Sequence, residues 1–423
     1  MQFVSTRGNS PAVAASTAIL HGLAPDGGLY IPEAFPVPGT LGISASMPYH
    51  EMAVRMLTPF FAGDQLETEL EGICREAFSF PVPLHWHNNR QAVLELFHGP
   101  TAAFKDFGAR FLAGAMEKLT EENGTPLTIL VATSGDTGGA VAAAFHGKRS
   151  IDVKVLFPYR RVSKRQEKQL TCWGDNVTAY AVKGAFDDCQ RMVKTAFMDR
   201  ELTGKYHLTS ANSINLGRLL PQSVYYMYAA LQFRERNGHD PVVVIPSGNV
   251  GNSVGAYWAR AMGAPIKRII LAVNANRTIP DYLESGLYEP RESIATLANA
   301  MDVGDPSNME RLIALFGDIE RIREQVSAVS VSDGEIRDSI RNVWKSHRYA
   351  VCPHTAAGEM VRSSIVPAEN SIVVATAHPA KFDTIVEPLI DREIDIPASL
   401  QALLEKESAC SLIEPEVAAL FPK

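Results

Sequence analysis

The sequence predicts an α/β fold, and three observations carry that prediction. From Leu127 onward short β-branched apolar runs recur, stretches with apolar residues three or four apart separate them, and several junctions between run and stretch are rich in glycine and hydroxyl residues. Fully apolar strands alternating with amphipathic helices are the pattern of parallel sheets covered by helices. At 423 residues the chain exceeds what one simple core serves, so two or three packed units are expected.

Taken in order, residues 1 to about 90 stand apart: Gly and Pro are frequent early, a helical stretch covers about 48–78, and no phosphate-loop signature occurs. This part is read as an amino-terminal domain or cap. Strands are expected at 127–132, 153–157, 177–182, 242–245, 269–273 and 372–375. Between them helices are expected at about 106–121, 186–200, 215–236 and 251–262. Phe107, Phe111, Ala115 and Leu119 step by fours along one face of the first. Pro221 should kink the third helix or mark its first turn. The tail from about Pro397 reads as a short helix with a loose end. The resulting division is 1–90, a region 91–395 of two α/β lobes with the smaller at roughly 130–205, and a helical tail at 396–423.

Composition narrows the function. The 40 basic and 47 acidic residues give a net charge of -7 without a long block of either sign, which argues against nucleic-acid and membrane-surface partners and for a small soluble ligand. Cysteines at 74, 172, 189, 352 and 410 are odd in number and form no CxxC pair, so neither a disulfide framework nor a metal site is expected, and a reducing compartment fits. The start of the chain lacks a basic segment followed by an apolar run, and no stretch reaches the roughly 18 apolar residues of a spanning helix. A cytoplasmic protein is the expectation.

Ligands of open α/β sheets bind where strands end and helices begin. Four junctions stand out. Around 98–108 Lys105 lies between Phe104 and Phe107 at a helix start; apolar neighbours penalise an ammonium group and make the amine a nucleophile able to form an imine. Alone, the segment fits a lysine on a solvated helix face better. In Ile245-Pro246-Ser247-Gly248-Asn249-Val250-Gly251-Asn252-Ser253 a strand enters a glycine-rich turn whose backbone N–H groups and helix dipole suit a phosphate dianion, or which is merely a tight connection. Neither nucleotide fingerprint is present. Ser134, Gly135, Asp136 and Thr137 open another helix and offer donors to a carboxylate, or simply cap it. The fourth junction holds Thr376 and His378; such a histidine is more often structural than catalytic. The densest basic stretch, 160–169, could close over a phosphoryl group or be a solvated loop.

Together these segments resemble the threonine synthase family of fold-type II pyridoxal-phosphate enzymes. Further similarity runs along nearly the whole chain: Ser5-Thr6-Arg7-Gly8, Gly22 to Tyr30, Ser210-Ala211-Asn212-Ser213-Ile214-Asn215, Asn299 to Gly304 and Pro353-His354-Thr355-Ala356. The amino-terminal segments and the 210–215 motif resemble the longer bacterial and fungal branch. The resemblance implies a tryptophan synthase β-like fold, pyridoxal phosphate as cofactor, and conversion of O-phospho-L-homoserine and water to L-threonine and phosphate by a monomer or homodimer.

The resemblance also implies roles. Lys105 is the Schiff-base lysine and main proton carrier, and Lys381 its only rival; Gly248, Asn249, Val250, Gly251 and Asn252 cradle the cofactor phosphate, and Thr376 faces the pyridine nitrogen. Ser134, Gly135, Asp136 and Thr137 hold the substrate carboxylate, Asn212 and Asn215 border the ligands, and Arg160 and Lys164 belong to the loop over the substrate phosphate. The sequence departs from the family at Arg160 (usually Gly), Lys164 (usually Pro), Val250 (usually aromatic) and Cys352 (usually Asp). Two other readings remain open: another fold-type II enzyme such as a threonine dehydratase or a β-replacing synthase, and a non-catalytic homologue that only binds pyridoxal phosphate or a phospho-ligand.

Overall fold

The computed structural model describes residues 1–123, 126–133 and 135–421. In chain order the strands are β1 (Phe3–Ser5), β2 (Tyr30–Pro32), β3 (Leu84–Trp86), β4 (Gln91–Glu95), β5 (Leu127–Ala132), β6 (Ile151–Pro158), β7 (Val177–Val182), β8 (Leu208–Ser210), β9 (Val242–Pro246), β10 (Arg268–Val273), β11 (Ser327–Ser330), β12 (Ser371–Ala375) and β13 (Ser411–Ile413). β1 and β2 form an antiparallel pair. The larger sheet has the order β11-β10-β9-β12-β4-β3, parallel except where β3 runs against β4. The smaller one, β13-β7-β6-β5-β8, is parallel throughout.

Every residue of β9 and β12 is buried, because helices cover both faces of a parallel sheet and leave no polar side for alternation to mark. The six expected strands correspond to β5, β6, β7, β9, β10 and β12. β4, β8, β11 and β13 went unread: three to five residues with polar ends carry too little periodicity.

The helix expected at 215–236 is two helices, Leu216–Leu219 and Gln222–Asn237, divided at Pro221, which caps the second. The stretch 186–200 ends at Met198, and Asp199 then caps a new helix, Arg200–Tyr206, by accepting from Glu201 and Leu202 N–H. Residues 48–78 likewise hold two helices, Tyr49–Phe61 and Leu70–Ala77.

The tail is firmer than expected. After the helix Ala398–Leu404, β13 adds a parallel strand along β7, and Leu420 is buried against Tyr180, Val182 and Met192. The amino-terminal region shares the main core: Phe3, Tyr30, Phe60 and Phe61 belong to one buried cluster with Phe107, Phe111, Tyr225 and Trp258. Phe107, Phe111, Ala115 and Leu119 of the Lys105–Asn123 helix are all buried, as their spacing predicts. No described helix is long and apolar enough to cross a membrane.

The strand order has one direct consequence for chemistry. β9, β12 and β4 are parallel neighbours, so the segments leaving their carboxyl ends emerge side by side: the turn at 247–250, Thr376, and the loop leading to Lys105.

Candidate active site

Lys105 is the first residue of its helix, and the loop before it is tightly held. The Asp106 carboxylate accepts from Thr101 N–H (2.9 Å) and Thr101 Oγ1 (2.6 Å). Phe104 N–H donates to Thr376 O (2.9 Å) and His378 N–H to Ala102 O (3.0 Å), so the segments after β4 and β12 are laced together. Ala102 adopts φ 52°, a left-handed conformation that costs a non-glycine residue energy and clusters at functional sites. Gly108, one turn into the helix, lies against the Leu216–Leu219 helix, where a Cβ would sit 2.3 Å from Arg218 O.

The Lys105 amine lies 5.3 Å from the centre of the Phe104 ring. Although the residue as a whole is half-buried, its amine is deep, and burial first of all pushes its pKa down to about 8; Asp136 pulls it up, and Lys381 and Arg218 push it down. A lysine on a solvated helix face would show no such effect, so that alternative does not hold.

At the end of β9 the chain turns through Gly248, where a Cβ would come within 2.6 Å of Met301 Cα, so only glycine fits. The Asn249 side chain braces the turn: Nδ2 donates to Ser213 Oγ (2.8 Å) and Oδ1 accepts from Ser307 N–H (2.6 Å). Val250 takes φ 63°, ψ -9° as the cap of the Gly251–Ala261 helix, a costly conformation for a β-branched residue. Asn252 Oδ1 accepts from Tyr225 and Tyr226 hydroxyls at 2.5 and 2.7 Å, while its Nδ2 is buried with no partner. Buried donors are almost always satisfied. An orphaned amide beside a strained, glycine-lined helix start fits a phosphate dianion, and thereby the phosphate group of pyridoxal phosphate.

Thr376 is buried, and its hydroxyl has no partner among the described residues. His378 caps the turn after it, Nδ1 accepting from Ala380 N–H (3.2 Å), a structural role in which burial lowers its pKa to about 4. His354 is similar: Nε2 accepts from Ala300 N–H (3.1 Å), and burial takes its pKa to about 4.

The third junction starts the Asp136–Phe145 helix after β5. Gly135, at φ 142°, is its cap, and Thr133 Oγ1 accepts from Gly135 and Gly138 N–H. No described residue accepts from Asp136 or Thr137 N–H. Ser134 lies outside the described residues. Asp136 Oδ1 sits 2.8 Å from Lys381 Nζ and accepts from Gln166 Nε2 (3.1 Å), and Lys381 Nζ donates to Thr101 O (2.9 Å). Burial works to raise the Asp136 carboxyl, but the ammonium groups of Lys381 and Lys105 hold it well below the usual carboxylate range. Lys381, the rival for the imine, thus has its amine committed.

Asn212 Oδ1 is buried without a partner, whereas Asn215 is spent on the fold: Nδ2 donates to Ile19 O (2.9 Å) and Oδ1 caps Gly217 N–H (2.9 Å). Arg160 and Lys164 are exposed, and neither has a carboxylate partner among the described residues; the Arg160 guanidinium rests 4.9 Å from the Tyr159 ring centre. Sequence reasoning took in Arg165 only as part of the basic stretch 160–169 and missed its contact with the segment after β12, where it pairs with Asp383 at 3.1 Å and donates to Ala380 O. It also missed Gln166 and the buried Arg218, whose Nε has no partner and whose pKa burial lowers to about 10. Only the capping box at Ser163 and Gln166 carried a local signal.

The chain is similar to known proteins along nearly its whole length. A model of pyridoxal-phosphate-dependent enzymes matches residues 90–374, one of the threonine synthase amino terminus matches 2–78, and one of the threonine synthase carboxy-terminal region matches 352–420. Threonine synthase from Haemophilus influenzae is 38% identical over 406 residues, 96% of this chain and 94% of that protein. The fission-yeast Schizosaccharomyces pombe enzyme is 32% identical, covering 97% and 95% of the two chains. The crystal structure of pyridoxal-phosphate-bound threonine synthase from Brucella melitensis superposes with a TM-score of 0.91 at 36% identity, covering 99% of this chain and 98% of that one.

Proposed function

The chain belongs to the threonine synthase family of pyridoxal-phosphate-dependent enzymes, and from that premise we propose that it converts O-phospho-L-homoserine and water to L-threonine and phosphate with Lys105 as its central catalytic residue. The buried Lys105 amine, with its pKa near 8 and its place where β4, β9 and β12 end, is the observation that carries this reading.

Lys105 would bond the cofactor's aldehyde carbon, the 248–252 turn would hold its phosphate through backbone N–H groups and Asn252 Nδ2, and the Thr376 hydroxyl would meet its ring nitrogen. When bound, the cofactor supplies the electron sink for carbanion chemistry. The substrate must lose a proton from Cα and one from Cβ, release phosphate from Cγ and take up water at Cβ. An amine with a pKa of about 8 is roughly one-tenth free base at pH 7, against well under one part in a thousand for an ordinary lysine, so Lys105 can take each of these protons and return them. A hydroxyl at Thr376 holds no ring nitrogen charged, which restrains deprotonation to what the β,γ-elimination requires.

The substrate carboxylate is assigned to the 134–137 junction, supported by the N–H groups of Asp136 and Thr137 that lack described acceptors. Asn212 borders the ligands through its unpartnered Oδ1, and Asn215 fixes the loop that carries it. Arg160, in the turn after β6, and Lys164, at the start of the helix that follows, are exposed cations and the assigned partners of the phosphoryl group.

The test assays phosphate release and threonine formation from O-phosphohomoserine, and 2-oxobutyrate formation from threonine, for wild type and Lys105→Ala. Wild type should release equal amounts of phosphate and threonine, and Lys105→Ala should lose at least about a thousandfold in rate, the general-base share alone being 10²–10⁴. Threonine made at an undiminished rate by the variant would sink the role of Lys105. Production of 2-oxobutyrate without phosphate release would point to a dehydratase.

A further inference from the structure

We propose that Lys381 is a positioning residue for the substrate carboxylate: it draws the Asp136 carboxylate away from the start of the Asp136–Phe145 helix and leaves the Asp136 and Thr137 N–H groups to the ligand. The inference rests on the assignment of the 134–137 junction made above.

An acidic residue at the first position of an anion-binding helix start is a contradiction in electrostatic terms. Its carboxylate competes for the N–H groups and the positive end of the helix dipole, and it repels a ligand carboxylate at close range. In this chain the contradiction is resolved by geometry. Thr133 Oγ1 caps Gly138 N–H at 2.9 Å and leaves the first two N–H groups, those of Asp136 and Thr137, without a described acceptor, while Asp136 Oδ1 is turned to Lys381 Nζ at 2.8 Å and Gln166 Nε2 at 3.1 Å.

Both side chains are buried, 0% exposed for Lys381 and 3% for Asp136. Asp136 follows β5 of the smaller sheet and Lys381 follows β12 of the larger one, so the pair also bridges the two. Lys381 is itself held in place: its amine donates to Thr101 O, and Ser163 Oγ donates to its carbonyl at 3.5 Å. Lys381 therefore contributes a neutralising charge and a direction, and touches the ligand through neither.

The experiment compares wild type, Lys381→Met, Lys381→Arg and the double variant Lys381→Met/Asp136→Asn. Removing one partner of a buried pair destabilises the fold, whereas removing both is close to neutral, so the double variant and the Arg variant keep the test open should Lys381→Met not fold. Three quantities are read: KM and kcat on O-phosphohomoserine, the Kd of an unreactive phosphonate analogue of that substrate by calorimetry on the cofactor-loaded enzyme, and Tm of the cofactor-free protein.

Lys381→Met should raise KM and the analogue Kd about tenfold, the equivalent of 1.4 kcal/mol, with kcat moving far less. The double variant should recover to within about threefold of wild type, since the misdirected charge is gone, and Lys381→Arg should stay close to wild type. A Lys381→Met enzyme with unchanged KM and Kd overturns the proposal. A double variant that binds as poorly as Lys381→Met, or worse, overturns it too, because Lys381 would then act on the ligand directly. A purely structural pair would shift Tm and leave the binding ratios alone. Should wild type bind the analogue but make no threonine, the assigned reaction fails while the binding ratios still decide the role of Lys381.

Discussion

At Lys105 the burial that frees the amine for chemistry also costs the cofactor-free fold stability. The unfolded chain keeps this proton up to the ordinary lysine pKa of 10.5, whereas the folded one releases it from about 8. Between those values the unfolded state binds more protons, so the penalty is full below pH 8 and fades as the pH climbs to 10.5. Cofactor-free Lys105→Met should therefore be more stable than wild type at pH 7, by at most about 3 kcal/mol for a shift of this size, and the gap should close toward pH 10.5; a difference in Tm that ignores pH would refute this. At three positions where the resemblance leads one to expect another residue, the local geometry suits the expected one. Arg160 sits at φ 61°, a conformation glycine adopts freely; Lys164 is the first residue of the Lys164–Thr171 helix, where proline is favoured; and Cys352 caps the Pro353–Ile365 helix, its Sγ accepting from Thr355 N–H at 3.5 Å, where an aspartate would cap more strongly. For Val250 nothing in the structure explains a valine where the resemblance leads one to expect an aromatic.

Among the elements, the contact between the Lys105–Asn123 and Leu216–Leu219 helices leaves the least room. Gly108→Ala would push a methyl into Arg218 O, backbone that cannot rotate aside, and should cost about 1–3 kcal/mol in chemical unfolding while displacing the start of the lysine helix and lowering kcat. Unaltered stability would mean that the helices separate freely. How much could be read beforehand follows from the same physics. β9 and β12 were legible because continuous Val and Ile runs are what a doubly covered strand requires, and the turn at 248–252 because Gly and Asn announce it. β4 was not, since Gln91 and Glu95 close off only three apolar residues. Neither was the Asp136 to Lys381 pair: nothing local to either residue records that two junctions from different sheets meet, nor that Gln166 turns inward to join them.

Across the whole molecule the two chain ends are structural members. Deleting 407–423 would remove β13 from the edge of β7 and strip Leu420 from Tyr180, Val182 and Met192. Lost burial at Leu420 alone amounts to about 2 kcal/mol; the truncated chain should melt at a lower temperature and bind apolar dyes, and an unchanged melting curve would show the tail to be dispensable. The larger sheet carries a related consequence for how the protein is made. β12 lies between β9 and β4, yet it is the last of that sheet's strands to be synthesised. While residues before 371 leave the ribosome, β9 and β4 each present an unpaired edge and have no neighbour to join them. The segments that carry Lys105, the 248–252 turn and Thr376 therefore come together only after most of the chain has been translated, and the newborn enzyme depends until then on whatever keeps open strand edges from pairing with other chains.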